Sequence, residues 1–129
     1  MATILDRIIE TKRKEVEATR QHRPPADLYV AIEHADPPRD FLAAVTAKSA
    51  RRINLIAEIK KKKSPLAGVI GEDFDPVRIA QIYHYHGAAA LSVLTNETCF
   101  GGKLEFIAAV KQDWAKRGFS AQRGSTSLN

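Results

Sequence analysis

Residues 55–76 read LIAEIKKKKSPLAGVIGEDFDP: a short apolar run delivers a glutamate and several lysines, then Ser-Pro, then a helix-start signal. Side chains alternate along a strand, so Ile53, Leu55, Ala57 and Ile59 fall on one side and Asn54, Ile56, Glu58 and Lys60 on the other. Glu58 and Lys60 therefore point to the same side. A carboxylate beside an ammonium at the C-terminal end of a buried strand suits charge-handling chemistry on an anionic substrate. The same residues would also make a solvated basic turn after an edge strand, and the surrounding pattern has to decide between the two.

Downstream the pattern is that of parallel β/α units. A strand is expected over residues 53–60 and a loop over 61–74 containing Pro65, Gly68 and Gly71. Asp75-Pro76 is an N-cap followed by proline at the first helical position. Val77, Ile79, Ala80, Ile82 and Tyr83 supply that helix's apolar face, and Gly87 is its expected stop. Residues 88–95, AAALSVLT, form the near-continuous apolar run of a strand covered on both faces. A loop over 96–102 then leads to a helix over 103–116, with Leu104, Ile107, Ala108 and Val110 inward. Strand, helix, strand, helix with short joins predicts a parallel α/β sheet.

Upstream, Ile4, Leu5, Ile8, Ile9 and Val16 share one side of a helix expected over residues 3–20, which the stretch around Pro24-Pro25 ends. Two shorter helical pieces, 28–33 and 39–47, flank Pro37-Pro38. The expected organisation is an N-terminal helical extension over 1–52, the first β/α units over 53–118, and an irregular tail over 119–129. The tail, FSAQRGSTSLN, is too polar for a third core strand.

Composition bounds the function. The chain has 129 residues, 44% hydrophobic and 27% charged, enough for one domain with a real core. A formal charge of +5 favours an anionic partner, either a phosphorylated metabolite or nucleic acid. Cys99 is the only cysteine, so no intramolecular disulfide can form and a reducing cytoplasm is the expected compartment. No apolar run is long enough for a membrane span, and MATILDRIIETKRKE lacks a signal-peptide core.

These residues together closely resemble the indole-3-glycerol phosphate synthase family. The likeness runs from ILDRIIETKRKEVEATR and RDFLAAV through the Glu-x-Lys strand end, the Ser-Pro loop, DFDP, the SVLT strand and the Phe-Gly-Gly loop, over roughly residues 3–112. It implies a (β/α)8 barrel, here truncated, with an N-terminal helical extension. It also implies ring closure of an anthranilate-derived deoxyribulose phosphate with loss of carbon dioxide and water, in tryptophan biosynthesis. By motif, Glu58 resembles the glutamate that assists proton transfer and orients substrate. Lys60 resembles the first-strand lysine that takes part in acid chemistry on the anionic substrate. Ser64 and Pro65 match the loop over the bound substrate, and Phe100 the aromatic packed on the anthranilate ring. The resemblance implies a small phosphorylated substrate, with no cofactor and no metal.

Three departures qualify it. Glu58 to Ser64 is six positions where the family usually has five, because Lys60 to Lys63 is a four-lysine run. A bulge would absorb the extra residue; otherwise Lys61 takes the position assigned to Lys60 and binds substrate. The loop reads SPLAG where the family favours SPSKG. The family's third-strand Arg-Lys-Asp-Phe, whose lysine is the general acid, is absent, as is the phosphate site near the last strands; Lys116 and Arg117 do not match that motif. A barrel of this type takes about 250 residues. The expectation is an incomplete chain that does not turn over substrate alone and self-associates through open barrel edges. The competing readings are a non-catalytic half-barrel that binds another chain, and another phosphate-binding barrel such as the phosphoribosylanthranilate isomerase type.

Other features carry less. His84 and His86 are two apart on a helix and diverge, so they read as a surface pair rather than metal ligands. Cys99 has no nearby base in sequence, and Trp114 reads as the end of a packing face. Lys60 to Lys63 with Arg51-Arg52 lacks interleaved stacking aromatics, which argues against nucleic acid as the partner.

Overall fold

The computed structural model describes residues 1–48, 53–62, 71, 73–117 and 127–128. They form α1 (Ile4–His22), α2 (Pro25–Glu33), α3 (Phe41–Thr46), β1 (Ile56–Ile59), α4 (Pro76–Tyr85), β2 (Ala90–Val93), α5 (Glu97–Phe100), α6 (Glu105–Lys116) and β3 (Ser127–Leu128). Two compact units result, Met1–Pro38 and Arg39–Asn129.

In the first unit, the α1 N-terminus is closed by a capping box between Thr3 and Asp6. Pro24 and Pro25 end α1, and Pro25 then opens α2 at its first position, three residues earlier than the expected start at residue 28.

The second unit holds the sheet. α3 lies in the same compact unit as the strands. The reason is local: the Asn54 side-chain amide donates to the carbonyls of Val45 and Ala47, both at 2.8 Å, fastening the end of α3 to the lead-in of β1. α3 also lies against β2 and β3.

β1 and β2 pair in parallel, Ile56 opposite Ala90 through Ile59 opposite Val93. The crossover runs through α4, whose start is set by Asp75: its Oδ1 accepts from the backbone N–H of Val77 at 2.9 Å and Arg78 at 3.1 Å. Gly87, at φ +83°, turns the chain out of α4 in the left-handed region that favours glycine. Ala57, Ile59, Leu91 and Val93 form one buried sheet face, closed by Ala80, Val110 and Trp114, with Phe74, Val77, Ile79, Tyr83, Phe106 and Ile107 packed around them. Each large side chain fully buried there contributes about 1.5–3 kcal/mol.

Three sequence expectations are corrected. Leu104 and Ala108 are exposed; α6 packs through Phe106, Ile107, Val110 and Trp114, because it starts at Glu105 and its inward stripe is set from there. Ile82 is about half exposed on α4. The tail is not wholly irregular: Ser127 and Leu128 pair in parallel with Ala90 and Leu91, giving the strand order β1-β2-β3. That strand is two residues long, as short as a polar sequence with little apolar surface to bury would make it.

Candidate active site

The C-terminal end of β1 carries the charged pair. Lys60 Nζ lies 2.9 Å from Glu58 Oε1, with the two side chains 32% and 45% exposed. Alternation explains the meeting: Ala57 and Ile59 turn into the core and leave Glu58 and Lys60 on the opposite side.

The lysine run then departs from regular pairing. Ile59 C=O accepts from Leu94 N–H at 3.0 Å, and Lys62 N–H donates to Phe100 C=O at 3.1 Å. A regular parallel strand directs every second residue at the same neighbour, so after Ile59 the turn of Lys61 comes next. Lys62 bonds α5 rather than β2, and the chain bends at Lys61. The register through Ile56–Ile59 stays intact. The Lys61 ammonium stands 6.0 Å from the centroid of the Phe74 ring. It is Lys60 that meets Glu58.

Phe100 reaches the same end of the sheet through α5, a single turn capped by Asn96, whose Oδ1 accepts from Cys99 N–H at 3.0 Å. Gly101, at φ +65°, ends the turn, and Gly102 N–H donates to Asn96 C=O at 2.9 Å. A β-carbon on Gly102 would stand 2.0 Å from the Leu94 carbonyl oxygen, so only glycine lets this loop fold directly onto the end of β2.

A half-open cavity of about 390 Å³ is lined by Glu58, Lys60, Gly71, Asp73, Phe74, Ile79 and Tyr83. Glu58 and Lys60 thus share a concave surface, and neither Lys61 nor Phe100 is among the residues that line it. Ser64 and Pro65 lie outside the described residues. Phe74 and Tyr83 were legible only as helix-start and helix-face residues; nothing in their spacing singled them out as cavity walls.

The remaining features settle structurally. His84 is half-buried and packs edge-on against Trp114, with ring centroids 4.7 Å apart, so it is a packing histidine rather than half of a surface pair. Burial pushes its imidazole pKa down. Asp113 accepts from Gln81 Nε2 at 3.1 Å and Arg117 Nε at 2.8 Å. Burial raises its pKa, but these hydrogen bonds and the charges of Arg117 and Lys116 outweigh it and hold the carboxyl below the usual range. Cys99 is buried and forms no disulfide. Among the described residues no group of three or more His, Cys, Asp or Glu is placed to hold a metal ion, and no helix is long and apolar enough to cross a membrane.

Parallel strands joined through helices, with a carboxylate–ammonium pair at the strand ends, define an α/β protein whose polar site stands where β/α-unit enzymes keep theirs. Comparison with known proteins is specific. The family model described as indole-3-glycerol phosphate synthase matches residues 5–118. The chain is 48% identical over 109 residues to the indole-3-glycerol phosphate synthase of Rippkaea orientalis, covering 84% of this chain and 36% of that protein. It is 47% identical over 111 residues to that of a Roseiflexus species, covering 86% and 40%. It is 48% identical over 113 residues to that of Acidithiobacillus ferrooxidans, covering 87% and 43%. The chain belongs to the indole-3-glycerol phosphate synthase family. It spans about 40% of the length of the curated relatives it matches.

Proposed function

We propose that this chain supplies the first-strand part of an indole-3-glycerol phosphate synthase active site. That enzyme is a carboxy-lyase closing the indole ring of 1-(2-carboxyphenylamino)-1-deoxyribulose 5-phosphate with loss of carbon dioxide and water, in tryptophan biosynthesis. The observation that carries the reading is the Glu58–Lys60 contact at the C-terminal end of β1, in a chain of this family. In this reading β1, β2 and β3 are strands of a (β/α)8 barrel. Glu58 orients substrate and assists proton transfer, Lys60 takes part in acid chemistry, and Lys61, Ser64, Pro65 and Phe100 contact the substrate. Every step is a proton transfer or a bond change within the substrate, so the chemistry calls for no cofactor. The working compartment is the cytoplasm, and the open edge of β1 is where association with another chain would occur.

Residues 1–129 contain neither the third-strand general acid nor the phosphate cradle. General acid help is typically worth about 10²–10⁴ in rate, and groups acting as a unit lose most of the rate when one is missing. The test is to assay indole fluorescence from the deoxyribulose phosphate with residues 1–129 alone. The assay is then repeated with the complementary C-terminal portion of the Acidithiobacillus ferrooxidans relative added. The reading expects no turnover alone and turnover on mixing that Glu58→Gln abolishes. A folded mixed complex with no turnover would sink it.

A further inference from the structure

We propose that the cleft between the last turns of α4 and α6 is a second ligand site, one that takes a small aromatic carboxylate. A half-open cavity of about 500 Å³ lies there, lined by Gln81, His84, Tyr85, Trp114 and Arg117. Its volume suits a small molecule, and it shares no lining residue with the cavity at Glu58 and Lys60. The crossover through α4 carries the chain from the end of β1 back to the start of β2. The last turn of α4 therefore lies at the opposite end of the sheet from the Glu58–Lys60 pair. The wall is largely aromatic. Trp114 is buried and meets the His84 ring edge-on, and Tyr85 stands exposed at the rim. Burial favours the neutral form of His84, so that ring adds little charge of its own.

The polar side of the cleft is held in place by one carboxylate. Asp113 Oδ2 accepts from Gln81 Nε2 at 3.1 Å and from Arg117 Nε at 2.8 Å, while Asp113 is not itself a lining residue. The bond at Nε orients the guanidinium and leaves its terminal nitrogens to donate elsewhere. Among the described residues Asp113 is the only carboxylate within ion-pair distance of Arg117, and it is largely covered where Arg117 is half exposed. Lys116 adds a second positive charge, close enough to act on Asp113. Two cations against one covered carboxylate leave the mouth of the cleft net positive. A carboxylate takes two parallel N–H bonds from a guanidinium. An aromatic ring attached to it would lie against the wall of the cleft, where ring contacts and buried apolar area add to binding. A bare phosphate would gain the charge and not the wall.

Trp114 is the only tryptophan, so the chain gives a single indole N–H resonance, and it comes from the cleft itself. The experiment titrates residues 1–129 with millimolar phenylacetate and, separately, with phenylacetamide, which keeps the ring and lacks the charge. Phenylacetate should shift the indole resonance to saturation and bind on the order of tenfold more tightly than the amide. Arg117→Gln should bring the two probes to within about twofold of each other. Arg117→Lys, which keeps the charge and loses the planar fork, should fall between. Inorganic phosphate at the same concentration should leave the indole resonance where it is. A shift that does not saturate, equal affinity for acid and amide, or a preference for the acid that survives in folded Arg117→Gln overturns the proposal. So does an equal shift with phosphate alone, which would make the cleft a general anion site.

Discussion

Tyr83 reaches from α4 to donate its hydroxyl to the carbonyl oxygen of Glu58, at 3.2 Å. The Leu55 and Ile59 carbonyls accept from Ala89 and Leu94, so odd-numbered peptide groups of β1 face β2 and even-numbered ones face its open edge. The Glu58 carbonyl is therefore an edge acceptor, and α4 caps it from behind while the Glu58 side chain meets Lys60. Fold and site are joined at one residue.

Tyr83→Phe keeps the ring packed on the core and removes only that donor. A loss of about 0.5–1.5 kcal/mol is expected in urea denaturation, with the Glu58 carbonyl left to water. Tyr83→Ala should cost about 2 kcal/mol or more, since it also empties the space between α4 and the sheet. Equal losses for the two variants would mean that the hydroxyl, not the ring, holds α4 in place.

Gly102→Ala should be among the most destabilising small substitutions in the chain. The new methyl would meet the backbone of Leu94 and Thr95, which cannot swing aside as a side-chain tip can. A loss of at least about 2 kcal/mol is expected, together with shifted resonances for Phe100 and Lys62. Gly101→Ala should act through backbone strain instead, about 1–2 kcal/mol for a left-handed residue. A Gly102→Ala chain as stable as the original would show that the loop does not fold onto β2 as described.

How far these features were legible differs from element to element. Asp75-Pro76 and Gly87 marked both ends of α4, because caps are local chemistry. The Glu58–Lys60 meeting was legible from alternation alone. The facing of Leu104 was not, since it depends on where α6 starts, and Lys103-Leu104 precede the helix. Nor was the bond from Lys62 N–H to Phe100 C=O, which depends on a partner distant in sequence. The short pairing of Ser127 and Leu128 with β2 is likewise a long-range event on a polar segment.

Acid sensitivity should report His84. Its pKa is pushed down by burial against Trp114, so the folded state binds its proton less readily than the unfolded chain. The stability it contributes is present above the ordinary value of 6.5 and is lost as pH falls from there through the folded-state value. Urea midpoints at about pH 7.5 and pH 5 should fall less in His84→Gln than in the original chain. Asp113, with its carboxyl held low, gives a second loss in more acid solution as pH falls below 3.8 toward its folded-state value. An identical drop in both chains between the two midpoints would place the acid sensitivity elsewhere.

The final expectation separates site from scaffold at Glu58. Its side chain and that of Lys60 are 45% and 32% exposed, so the ion pair stands largely in water. Pairs of that kind contribute about 0–1 kcal/mol, and Glu58→Gln keeps both shape and hydrogen-bonding capacity. The denaturation midpoint should therefore move little. In the mixed complex with a relative's C-terminal portion, the same change removes the carboxylate proposed to move protons and also frees Lys60. Activity should fall about 10²–10⁴-fold on the loss of a positioned acid–base group. A residue that serves the fold would show the reverse, a large stability loss with proportionate activity in the molecules that remain folded. Parallel small losses in both measurements would return Glu58 and Lys60 to the status of a surface pair at the end of a strand.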